Sequence, residues 1–126
     1  MTMTTMTRVL IAASDGSLRH ALRLLLRQRL PMAVVGEAAT IADLDTALAQ
    51  LQPDLLLLDW ALPEFHDTAR LAVYQLAAPE AHIVALSVGV EEIADVLVAG
   101  AAACLARGAS PEHLIGLLKQ FAWSCQ

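Results

Sequence analysis

A chain of 126 residues holds one domain around one hydrophobic core and leaves no room for a second. Its net charge of −5 argues against nucleic acid as a direct partner, and no apolar run approaches the ~20 residues that span a bilayer. The hydrophobic fraction of 57%, with a mean hydropathy of +0.57, points instead to a sheet covered on both faces.

Met1 to Thr7 is low in complexity and lacks the charged-then-apolar layout of a secretion signal, so residues 1–7 read as a flexible leader. Arg8 to Ala13 reads as a strand, and Ser17 to Arg29 as an amphipathic helix ended by Pro31. Leu18, Leu22, Leu25 and Leu26 give that helix a core face. Arg19, Arg23 and Arg27 repeat at i, i+4 and i+8 along another face. The stripe is either a solvated face or a docking surface for an acidic partner. Ala33 to Glu37 is a second strand. Thr40 then caps a helix whose Ile41, Leu44, Leu48 and Leu51 keep helical spacing, with Asp43 in a turn like a capping box.

The continuous run Leu55 to Leu58, opened by Pro53-Asp54, reads as a central parallel strand buried on both faces. Asp59 closes it, and Pro63 turns the chain away. A weaker helix falls within Asp67 to Leu76, and Ala81 to Ser87 is the fourth strand. Glu91 to Ala99 reads as a helix stopped by Gly100, followed by the short small-residue strand Ala102 to Ala106. Ser110-Pro111-Glu112 opens the last helix with a cap, a first-turn proline and an acid. Its core face is Leu114, Leu117, Leu118 and Phe121. The folded unit is expected over residues 8–122, with 123–126 a tail or the start of a linker.

Five strand–helix pairs with short links predict an α/β fold: a five-stranded parallel sheet, doubly wound, in three layers. Ligands collect at the carboxyl edge of such a sheet, where Asp59 stands as a phosphate acceptor, a metal ligand or a cap. Cys104 and Cys125 form neither a metal spacing nor a disulfide framework, which fits a reducing cytoplasm. His20, His66, His82 and His113 share no ligand spacing. The loop Ala12 to Ser17 has a single glycine, which counts against a dinucleotide or P-loop enzyme. A flavin carrier shares the fold, but that loop offers little to cradle a phosphate and aromatics are only 4%.

Pro53 to Pro63, PDLLLLDWALP, resembles the phosphoacceptor strand and loop of response-regulator receiver domains. Ile83 to Ser87, IVALS, is similar to their fourth strand, with its terminal hydroxyl residue. Gly100 to Leu114, GAAACLARGASPEHL, is similar to their fifth strand, basic residue and last helix start. Val34 to Ala38, VVGEA, and the ASPEHL cap resemble most closely the NarL/FixJ subfamily. The resemblance covers Arg8 to about Phe121. It implies a CheY-like, flavodoxin-like sheet of strand order 2-1-3-4-5 in a two-component signalling protein that is not itself an enzyme.

By match of position, the resemblance makes Asp59 the phosphoacceptor for a histidine kinase or phosphotransfer protein. It makes Ser87 the hydroxyl residue, and Arg107 stands where the family has a lysine. Asp59 is then expected to be solvent-accessible and within contact range of Ser87 and Arg107. Three departures from the family follow. Ala13 and Ser14 occupy the positions of the acidic pair and supply no carboxylate to a Mg²⁺ ion. Asp15 falls one residue late and reads as a helix-start acid. It could join Asp59 as a metal ligand only if the loop were one residue shorter, so no cofactor is assigned and Mg²⁺ is expected to bind weakly or not at all. Arg107 keeps the lysine's charge in a planar fork, and Cys104 replaces a switch aromatic. The alternative is therefore an atypical receiver, poor in metal and independent of phosphorylation, that acts as a protein-interaction module. The resemblance also implies kinase docking along Arg19, Arg23 and Arg27, and a weak homodimer. Neither a membrane nor direct nucleic-acid contact is expected.

Overall fold

The computed structural model describes residues 6–62 and 68–124. The expectations for the leader before Met6, for Pro63, His66 and Asp67, and for Cys125 lie outside the described residues. The chain alternates strand and helix throughout: β1 (Thr7–Ala12), α1 (Gly16–Arg29), β2 (Met32–Ala38), α2 (Ile41–Leu51), β3 (Leu55–Asp59), α3 (Ala69–Ala77), β4 (His82–Val88), α4 (Ile93–Val98), β5 (Ala103–Ala106) and α5 (Pro111–Ser124). All strand pairs are parallel, and the sheet order is β2-β1-β3-β4-β5. This is the doubly wound sheet that the alternation predicts.

Every residue of β3 is buried, because the strand lies between β1 and β4 with helices on both faces. Side-chain alternation divides it. Leu56 and Leu58 pack with Leu44, Leu48 and Tyr74 on the α2–α4 side. Leu55 and Leu57 pack with Leu22, Leu26, Leu114 and Leu118 on the α1–α5 side. Each fully buried leucine contributes roughly 1.5–3 kcal/mol relative to exposure, so β3 is the axis of both cores.

The helix starts follow their caps. Asp15 accepts from the Ser17 N–H at 2.9 Å, Thr40 from Asp43 at 3.1 Å, and Ser110 from His113 at 3.2 Å. The Arg8 guanidinium holds the far end of α2 by donating to the carbonyls of Gln52 and Leu51 at 2.8 and 2.7 Å. The single helix expected over Glu91 to Ala99 divides in two. A 3-10 turn at Val90–Glu92, tightened by the Glu92 N–H on the Gly89 carbonyl at 2.9 Å, precedes α4. Two residues of the expected tail, Trp123 and Ser124, continue α5.

Candidate functional site at the carboxyl edge

Asp59 ends β3 beside Leu86 of β4, and the Trp60 N–H donates to the Leu86 carbonyl at 2.8 Å. The expectation of an accessible carboxylate is not met: Asp59 is 6% exposed. After it, Trp60 and Leu62 turn into the core, and the Leu62 N–H donates to the Asp59 carbonyl at 3.0 Å. Its carboxylate Oδ1 accepts the Ala61 N–H at 3.0 Å, a local turn bond of the kind an aspartate makes to its own backbone.

Ser87 is the penultimate residue of β4 and Arg107 directly follows β5, at the same edge, yet neither hydrogen-bonds to Asp59 among the described residues. The reason lies in β4. Ala85 pairs with Cys104 but Val88 pairs with Ala106, so β4 carries one extra residue between them. Ser87 sits inside that bulge with φ +59°. Such a left-handed backbone in a non-glycine residue costs on the order of 1 kcal/mol. The bulge re-aims the serine into a groove of about 310 Å³ between α1 and α5, beside Leu18, Leu22 and Leu114. Arg107 is exposed, and its backbone N–H donates to the Val88 carbonyl at 3.0 Å.

The loop after β1 contains the strongest departure from a metal site. Ala13 is buried and Ser14 exposed, and neither has a carboxylate. Their carbonyl oxygens are taken by Arg19, whose NH1 donates to Ala13 at 2.6 Å and to Ser14 at 3.2 Å. A guanidinium therefore occupies two backbone oxygens of this loop. Asp15 is turned outward as the cap of α1. Among the described residues, no three His, Cys, Asp or Glu side chains cluster closely enough to hold a metal ion. Mg²⁺ prefers several oxygen ligands in octahedral array, and this donor set does not fit it.

Arg19, Arg23 and Arg27 share one face of α1, as their spacing implies, and that face is turned to β2. Arg19 Nε donates to Glu37 Oε1 at 3.1 Å, and Arg23 pairs with Oε2 of the same carboxylate. Glu37 had no assigned role from the sequence, because 18 residues separate it from Arg19 and no periodicity links them. Trp60 was likewise missed. Its Nε1 donates to Glu92 at 3.3 Å, tying the loop after β3 to the turn after β4.

The sequence matches no family model and no curated protein. The fold does match solved structures. The signal receiver domain of the response regulator NarL from Mycobacterium tuberculosis superposes with a TM-score of 0.78 at 21% identity, covering 94% of this chain and 97% of that one. A two-component response regulator of the LuxR family from Aurantimonas sp. gives 0.83 at 20% identity, covering 95% and 87%. A CheY-like receiver domain protein from Methanospirillum hungatei gives 0.78 at 20%, covering 95% and 96%. With its sheet order, its buried β3 and Asp59 at the carboxyl edge, this chain has the fold of response-regulator receiver domains.

Proposed function

We propose that this chain is an atypical receiver, a signalling module that works by binding partner proteins without a metal-dependent phosphoryl cycle at Asp59. The observation that carries this reading is Arg19 on the carbonyls of Ala13 and Ser14, where the resemblance calls for two acids and a cation. Phosphoryl transfer spreads negative charge over three equatorial oxygens, and positioned cations must offset it. Burial of Asp59 at 6% exposure adds a second obstacle, since an in-line donor needs access to a carboxylate oxygen. A histidine kinase or phosphotransfer protein is the partner class that suits the fold, and the reducing cytoplasm suits its free Cys104.

A second reading, phosphoryl acceptance at Asp59, draws on Arg107. That guanidinium is exposed and has no side-chain partner among the described residues, so it is available to a phosphate. In this reading the N–P bond of a phosphohistidine breaks as a carboxylate O–P bond forms at Asp59, with Arg107 offsetting the charge.

One experiment separates the two. The chain is incubated with phosphoramidate and Mg²⁺ and its mass is recorded beside that of an Asp59→Asn variant. The proposal expects no phosphoryl adduct on either chain. An adduct on the unaltered chain that the variant lacks overturns it in favour of the second reading.

A further inference from the structure

β2 is the last strand on its side of the sheet and pairs with β1 alone. Alternate residues of a strand address opposite neighbours, so about half of its backbone N–H and C=O groups face outward. Among the described residues, no element besides β1 hydrogen-bonds to the backbone of residues 33–37. Those five residues are all half-buried, in contrast to the fully buried β3. A groove of about 740 Å³ runs along Met32 to Glu37, and Met6, Arg23 and Arg27 stand on its wall.

The charge of this wall runs against that of the chain. Net charge is −5, yet four of the eight basic side chains belong to α1, and the stripe that faces β2 is part of that set. Glu37 offsets one charge of Arg19 and Arg23 together. Arg27 is exposed and has no partner among the described residues. The edge therefore combines unpaired backbone, apolar Val34 and Val35, and an excess of positive charge.

We propose that the β2 edge accepts an extended acidic segment of a partner protein. The segment pairs with β2 as an added strand and sets its carboxylates against Arg23 and Arg27. A second copy of this chain is a poorer occupant. It would bring the same arginine stripe against itself, and like charges so placed repel. It would also have to match a second rigid bulge, because the register of β2 on β1 shifts between Val34 and Gly36. A flexible segment follows such a bulge. The surface lies two strands from Asp59 and does not depend on phosphorylation there.

The test uses the full ¹⁵N-labelled chain at low salt and two peptides of about ten residues, a typical strand length or longer. One alternates valine with glutamate, the other valine with lysine. The glutamate peptide alone is expected to shift the amides of Ala33 to Glu37 and slow their hydrogen exchange. An Arg27→Glu variant, altered only at an exposed side chain, is expected to bind that peptide about tenfold more weakly, as is the unaltered chain at high salt. Unmoved amides at residues 33–37, or equal binding of both peptides, overturn the proposal. Shifts there that grow with protein concentration before any peptide is added also overturn it, by assigning the edge to a second copy.

Discussion

Arg19 reaches back from the first turn of α1 to the carbonyl of Ala13 at 2.6 Å, so a guanidinium braces the loop that follows β1. The same guanidinium also meets Ser14 and Glu37, which ties the ends of β1 and β2 together.

An Arg19→Ala variant is therefore expected to lose about 1–2 kcal/mol of stability in urea unfolding, since charge-assisted hydrogen bonds to a half-buried group disappear together. Arg19→Lys should recover less than half of that, because one ammonium cannot reproduce the planar fork. A loss within error for Arg19→Ala would show that the loop is held without it.

Placing acids at residues 13 and 14 tests the account of the donor set. Titration calorimetry on the unaltered chain should reveal no tight Mg²⁺ binding, whereas Ala13→Asp with Ser14→Asp should bind measurably. Adding Arg19→Ala to that pair should tighten binding further, because a neighbouring guanidinium competes for the new carboxylates. Tight binding by the unaltered chain would contradict the account of the donor set.

Leu57 is fully buried between β1, β4 and the helices of the α1–α5 face. Replacement by alanine should cost about 3–4 kcal/mol in chemical unfolding, transfer and cavity contributions together. A cost near 1 kcal/mol would mean that the surrounding leucines collapse into the space.

Gly100 ends α4 with φ +126°, and an added Cβ would lie 2.4 Å from Gln75 Nε2, which donates to the Gly100 carbonyl at 2.7 Å. Gly100→Ala should lower stability by about 2 kcal/mol through backbone strain and displacement of Gln75. Equal melting temperatures for the two chains would refute this.

Burial pushes the Cys104 thiol above its ordinary range. In a Cys125→Ser background, alkylation of Cys104 by iodoacetamide should be slow at neutral pH and accelerate only beyond the usual thiol range. The linkage has a definite sign. The unfolded chain releases this proton first, so the native state's advantage is full below the unfolded thiol pKa and is lost as pH rises toward the raised native value. Rapid alkylation at neutral pH would place the thiol outside the apolar setting that raises it.

The sequence by itself determined the architecture. Strand and helix periods, the caps at Asp15, Thr40 and Ser110, and the leucine run before Asp59 are local signals, and local geometry produces them. The resemblance of order and spacing also placed Asp59, Ser87 and Arg107 near strand ends on one edge, where the structure has Asp59 closing β3, Ser87 one residue inside the end of β4 and Arg107 just after β5. What those residues do there was decided by tertiary structure. Asp59 is buried at the end of β3, followed by Trp60 and Leu62 in the core, and Ser87 stands in a bulge made by one extra residue in β4. The arginine stripe meets Glu37, which a helix period cannot see because it belongs to β2 rather than to α1. Periodicity says which side chains share a face, while packing alone decides what that face meets.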